Sequence, residues 1–177
     1  MNIIGHFKTI TTHKLMVMRY CFRVGLYWRG LMHDMSKYTP TEFIPGVIYY
    51  QGNRSPNSAE REDKGYSSAW LHHKGRNKHH LEYWTDYALG PDKRIIPVEM
   101  PKIYVAEMLC DRIAASRVYK KDAYTDAAPY EYFMRSKEQG VIHPATKELL
   151  LKLLVMLRDE GEDATLSYVK RELVRNK

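Results

Sequence analysis

The 177 residues, 44% hydrophobic and 28% charged, have the balance of an ordinary globular protein with a real core, and are few for two domains. No apolar run approaches the roughly 20 residues of a membrane span, and Met1 to His6 lack the features of a secretory signal. The sequence therefore predicts no membrane partner and a cytoplasmic location. A net charge of +7, from 28 Lys and Arg against 21 Asp and Glu, favours an anionic partner, either a phosphorylated small molecule or a nucleic acid. The basic residues are spread along the chain, unlike a dedicated nucleic-acid-binding arm. Composition does not set the oligomeric state.

Residues 8–30 read as a first helix, with Leu15, Met16, Met18, Cys21, Phe22 and Leu26 forming an apolar face and Gly25 and Gly30 loosening its far end. His13 stands one turn before Val17, near the buried side. A second helical segment opens around Leu31 and carries His33 and Asp34 until Pro40 interrupts it. Thr39-Pro40-Thr41-Glu42 is a start signal for a third helix to about Tyr50, with Thr39 as cap and Glu42 closing a capping box. Residues 51–67 contain Gly52, Asn53, Pro56, Asn57 and Gly65 among many charges, and read as a solvated loop, a surface connection or a lid.

Helical character returns over 68–73, breaks near Gly75 and resumes from His79 to Tyr87. Residues 89–101, with Gly90, Pro91, Pro97 and Pro101, read as an irregular crossover. A strong helix follows from Lys102 to about Lys120, and two or three amphipathic helices from Pro129 onward. Pro144 fits a first helical turn, and Asp163 the cap of the last helix. No segment alternates with period two, so the sequence predicts an all-α fold. Cys21 and Cys110, in apolar helical segments, read as buried free thiols of a reducing compartment.

Six of the eight histidines, His13, His33, His72, His73, His79 and His80, stand where metal ligation is a sensible reading. His33-Asp34 offers a nitrogen and an oxygen ligand from adjacent positions. Glu107 and Asp111 are four apart, so they share one helix face among Ile103, Ala106, Leu109, Cys110, Ile113 and Ala114. A carboxylate in such surroundings needs compensation, either from Arg112 or Arg117 or from a cation. Four histidines fall within nine residues between Trp70 and Trp84. Either His73 and His80 share a helix face, or Gly75 breaks the helix and two His pairs converge across a turn, with Asn77 orienting one imidazole. Without a metal, the same segment reads as a basic patch that grips phosphate. His6 and His143 are isolated and read as structural or surface residues. Tyr66, Trp70 and Trp84 read as core. No glycine-rich phosphate loop, Walker string or G-x-S-x-G elbow is present.

The ordered set His13, His33-Asp34, the later histidines and Asp111 resembles the H…HD…H…H…D signature of the HD-domain superfamily. His33-Asp34-Met35-Ser36-Lys37 looks like its H-D-x-G-K form, with Ser36 in place of Gly. The chain is also similar to a family of small bacterial and phage proteins of unknown function that share H-D-x-S-K, H-K-x-R-N-x-H-H-x-x-Y-W and E-M-x-x-D. The likeness covers roughly residues 10–120. The His13–His33 gap is shorter than in many HD phosphohydrolases and nearer that of HD-type di-iron oxygenases.

The resemblance implies a compact helical domain over residues 1–177, with the motif core at about 10–120 and C-terminal helices over 129–177 packed on it. It implies one or two divalent metal ions held by His13, His33, Asp34, His73, His79, His80 and Asp111, with His72, Asn77 and Glu107 as further candidates. The expected activity is a metal-dependent phosphohydrolase acting on a nucleotide or other small phosphoester. Asp34, Lys37 and Arg76 are its expected catalytic residues, the two cations offsetting phosphoryl charge. The rival readings are a di-iron oxygenase at the same site and a basic module that binds a nucleotide or nucleic acid without turnover.

Overall fold

A computed structural model describes residues 1–91, 93–136 and 142–175. The fold is helical, as the missing period-two alternation predicts. Helix α1 spans Ile3–Val24, and Asn2 caps it by accepting from the Gly5 N–H at 2.7 Å. Gly25 ends it in the left-handed conformation (φ 89°), which only glycine adopts without a Cβ penalty. A short α2, Tyr27–Met32, follows at once, so the predicted single helix over 8–30 divides at Gly25.

His33 and Asp34 do not lie within a helix, contrary to the sequence expectation. His33 ends α2, and Asp34 has φ 53° and ψ 26°, a left-handed conformation that Asp tolerates better than most residues. A 3₁₀ turn over Met35–Tyr38 leads to α3, Pro40–Ile48. The capping box predicted there is absent. Thr39 Oγ1 donates to the Ser36 carbonyl at 2.6 Å, and the Glu42 carboxylate turns inward instead.

The predicted loop over 51–67 contains helix α4, Pro56–Lys64, opened by Pro56 in its first turn and closed by Gly65 (φ 80°). Buried Glu60 secures it to α5, Ser68–Lys74, by accepting from Ser67 Oγ and Ser68 Oγ, both at 2.6 Å. Beyond Gly75 the predicted helix from His79 to Tyr87 does not form. A turn carries His79 and His80 into a 3₁₀ turn at Leu81–Tyr83, then into a small antiparallel hairpin. Its strands are β1, Thr85–Tyr87, and β2, Ile95–Pro97, with Asp86 opposite Ile96. The hairpin occupies part of the predicted crossover.

Helix α6, Lys102–Lys120, has the predicted bounds and lies at the centre. Val105, Ala106, Leu109, Cys110, Ile113 and Ala114 are buried on successive faces, as expected of a helix surrounded by others. Packed against it are α1, α7 (Ala128–Arg135) and α8 (Pro144–Val169), which brings Val17, Cys21, Phe133, Leu150, Leu153, Leu154 and Leu157 into one core. Cys21 and Cys110 are free thiols within it.

Gly161 (φ 85°) kinks α8, and the chain ends in a wide helical turn over Lys170–Arg175. Glu162, just past the kink, accepts from Tyr20, Arg23 and Arg117 at 2.8–3.0 Å, tying α1, α6 and α8 together. Asp163 pairs with Arg23 rather than serving as a terminal cap. Among the described residues, no helix is long and apolar enough to cross a membrane.

Candidate metal centre

The chemistry-bearing side chains converge where α1, the α2–α3 connection, α5 with its following turn, and α6 meet. α1 presents His13 from its buried face. Lys14 holds the end of α2 by donating to the Leu31 and His33 carbonyls at 2.6 and 2.9 Å. The left-handed backbone at Asp34 brings its carboxylate into the same space as the neighbouring His33 ring. α5 supplies His73. The turn after Gly75 is closed by the Arg76 and Asn77 N–H groups bonding the His73 carbonyl at 3.1 Å, and it returns His79 and His80 to face His73. α6 adds Glu107 and Asp111 from one face, one turn apart.

Asp34 is shared between two groups of donors. Its Oδ2 lies 3.3 Å from His33 Nε2 and 3.7 Å from His13 Nε2, while Asp111 Oδ1 lies 3.0 Å from His13 Nε2. Its Oδ1 lies 3.2 Å from His73 Nε2 and 3.4 Å from His79 Nε2. One group is His13, His33, Asp34 and Asp111; the other is Asp34, His73, His79 and His80. Within each group the donor atoms lie within 4.8 Å of one another. Two ligands bound to one ion at about 2.0–2.2 Å lie about 3.0–3.5 Å apart, close to these separations.

The hydrogen bonding of these atoms also points to a cation. The Nε2 atoms of His13, His33, His73, His79 and His80 and Asp34 Oδ1 are buried and make no hydrogen bond, whereas Asp34 Oδ2 has the Lys37 ammonium beside it. Each such buried polar atom costs about 1–3 kcal/mol when left unsatisfied, so a cluster of them needs a common partner. The opposite edges of three of the rings are held. Glu107 Oε1 lies 3.0 Å from His33 Nδ1 and 3.4 Å from His79 Nδ1, and Glu42 Oε2 lies 2.8 Å from His73 Nδ1. A carboxylate that accepts the Nδ1 proton fixes the tautomer and leaves the Nε2 lone pair facing the cluster. The donor set therefore fits a metal ion: imidazoles and carboxylates, oriented from behind by other carboxylates.

Electrostatics follow the same geometry. Burial opposes the Glu107 charge, but hydrogen bonds from His33 and His79 outweigh it and bring its pKa down to about 2. Burial also opposes the Asp34 charge. His33 and Lys37 prevail, and its carboxyl is held well below the usual range. Lys37 Nζ sits 2.5 Å from Asp34 Oδ2, and that carboxylate overcomes desolvation to keep the ammonium charged. His80 is depressed by burial and by the neighbouring His79 and His73, and packs its ring 4.7 Å from Trp70.

Over residues 2–156 the sequence matches DUF5662, a family of unknown function. The chain belongs to DUF5662. No curated protein and no solved structure matches it.

In this DUF5662 chain, seven of the predicted residues come together: His13, His33, Asp34, His73, His79, His80 and Asp111. Gly75 breaks the helix and lets His73, of the first His pair, meet His79 and His80, so the alternative of one helical face does not hold. Glu107 forms a further candidate group with His33 and His79, on the Nδ1 side of their rings, and is bonded also to Arg29 at 3.1 Å. Asn77 lies where a positioning group would, its amide 3.1 Å from His73 Nδ1 and 3.0 Å from Ser36 Oγ. His72 turns to Glu42 at 2.6 Å and joins neither group. His13 accompanies Asp111, and Arg117 reaches Glu162 instead.

Lys37 and Arg76, expected to act on one charge, line different cavities. Lys37, His13, His73, His79, His80 and Asp111 line one of about 480 Å³ that also carries Arg54, Arg112, Lys120 and Arg135. Arg76 is exposed and lies on the other side of the His33 and His79 rings, among Glu107 and Arg29. Sequence reasoning missed Glu42, which orients His73, and Lys14, which fixes the His33 backbone. Glu42 had a signal, since an acidic residue in a first turn has uses other than capping. Lys14 had none.

Proposed function

We propose that this chain is a metal-dependent phosphohydrolase that acts on a nucleotide or other small phosphoester at a dinuclear His/Asp centre. The observation that carries the reading is the set of buried, hydrogen-bond-free Nε2 atoms gathered around the Asp34 carboxylate beside a cavity lined by Lys37. His13, His33, Asp34 and Asp111 would hold one divalent ion, and Asp34, His73, His79 and His80 the other. Bound metal would supply Lewis acidity and a water of lowered pKa. The order of these residues along the chain, which resembles the HD signature, supports the same reading.

The remaining work falls to the chain's own groups. Glu107 and Glu42 would hold the Nδ1 protons when metal displaces those on Nε2, so that neutral imidazoles present Nε2 inward. Lys37 keeps Asp34 ionised and places an ammonium at the cavity, where a phosphoryl oxygen would exchange water for a charge-assisted hydrogen bond. Arg135 adds positive charge to the walls that would draw an anion in, while Arg54 and Lys120, also on the walls, are paired with Glu62 and Glu131. Arg76 has no part in this step, because it lies in the other cavity. The short His13–His33 spacing and the imidazole-rich donor set favour one second reading, a di-iron centre that activates oxygen.

Release of inorganic phosphate from a panel of nucleoside monophosphates and an aryl phosphate tests the proposal. Activity should vanish on chelation, return with added divalent metal, and fall at least 100-fold in Lys37→Ala. Activity that survives both chelation and His33→Ala would overturn it. Tightly held iron, with an absorbance that changes on exposure to air and no phosphate release, would favour the second reading.

A further inference from the structure

The cavity that contains Arg76 has a volume of about 670 Å³, within the range of small-molecule sites. It opens on the Glu107 side of the His33 and His79 rings and is lined by Trp28, Arg29, Arg76, Lys78, Tyr104 and Glu107, among others. Three cations face one carboxylate, and that carboxylate already holds His33 and His79. Among the described residues, neither Arg76 nor Lys78 has an ion-pair partner. The Arg76 guanidinium bonds only the His72 carbonyl, at 3.4 Å.

The aromatic groups are placed with the cations. The Arg29 guanidinium lies over the Tyr104 ring at 4.0 Å, and Lys78 Nζ stands 5.9 Å from that ring. Trp28 is 72% exposed on the cavity wall, an unusual position for so large an apolar side chain unless something covers it.

We infer that this cavity, which adjoins the metal centre on the Glu107 side of the His33 and His79 rings, is a second ligand site for a phosphorylated aromatic compound of nucleoside monophosphate size. Arg76 and Lys78 bind the phosphate through charge-assisted hydrogen bonds, with Arg76 offering the planar fork that suits phosphate oxygens. Trp28 supplies the face on which the aromatic ring stacks. Cations without acidic partners, beside an exposed indole in one concave space, match the two halves of such a ligand. A structural role would pair those cations with carboxylates, as Arg54 is paired with Glu62.

Chelated, metal-free protein titrated with AMP tests this without any turnover, so its result is independent of the phosphohydrolase reading. The expected result is saturable binding of one AMP per chain, read by calorimetry and by quenching of tryptophan emission. Trp28→Phe should abolish most of the quenching. Arg76→Ala/Lys78→Ala should weaken binding at least tenfold with an unchanged melting temperature, since both side chains are exposed. Arg54→Ala/Arg135→Ala, in the other cavity, should leave it unchanged. Inorganic phosphate should bind at least tenfold more weakly than AMP. Absence of saturable binding at millimolar AMP, sensitivity to Arg54 and Arg135 instead of Arg76 and Lys78, or phosphate binding as tight as AMP would each overturn the inference.

Discussion

Leu150, Leu153, Leu154 and Leu157 of α8 and the imidazoles of His33, His73 and His79 are buried to nearly the same depth, from 0 to 3% exposed. The leucines need nothing further: each removes apolar surface from water and meets other apolar atoms in the α1–α6–α8 core. The imidazoles lose their water and, on their Nε2 edges, gain no hydrogen bond in return. One region is stable through what it excludes. The other has donor groups that could hold a metal ion, with Glu107, Glu42 and the Lys14–backbone contacts setting their geometry in advance.

That contrast can be broken or sharpened in order of expected effect. Chelating the metal-loaded protein should lower its unfolding free energy by about 4 kcal/mol for each ion removed when the free metal had been near 1,000 times Kd, measured by denaturant titration. Leu153→Ala should cost on the order of 3 kcal/mol through its cavity, and by the same amount with or without metal. If the leucine cost depended on metal, the two regions would not be energetically separate. Glu107→Gln should weaken metal binding about 10–100-fold in a competition titration, because a neutral amide no longer draws the Nδ1 protons of His33 and His79. It should change metal-free stability less than Leu153→Ala does.

The smallest effect concerns His6, which lies outside both donor groups, with its ring 5.3 Å from Phe43 and 5.8 Å from Tyr50. Burial, and then the Lys37 charge, depress its pKa to about 4. A depressed imidazole favours the unfolded state once pH falls below the unfolded value of 6.5. Its contribution is therefore complete above about pH 7 and is lost progressively from 6.5 down to about 4. At pH 5.5 the loss should be about 1 kcal/mol. The difference in pH–stability curves between the wild-type protein and His6→Gln should show it, and a flat difference would contradict it.

The sequence makes the scaffold around the site easier to read than the site's supports. Lys102–Lys120 is legible to the residue because Pro101 precedes a long stretch with helical patterning. The candidate ligands are legible because histidines beside carboxylates suggest a site, and Glu107 and Asp111 keep helical spacing. The Asp34 turn is less so, since a left-handed Asp leaves no mark that distinguishes it from a helical one. Helix α4 is hidden by its polarity: only Ala59 and Glu60 are buried, so no apolar stripe announces it. Arg76 illustrates the limit of spacing arguments. It stands among the histidines in sequence, but the break at Gly75 sends it to the opposite side of their rings.

The central claim is that the buried Nε2 and carboxylate atoms exist to hold cations. Elemental analysis of protein purified without added chelator, repeated on Asp34→Ala and His33→Ala, tests it most directly. The account predicts a pair of divalent ions per chain in the wild-type protein and the loss of both in Asp34→Ala, the residue the two groups share. His33→Ala should lose the ion of its own group. Wild-type protein that carries no metal, and that neither takes up manganese, zinc or iron nor gains melting temperature from them, would contradict it.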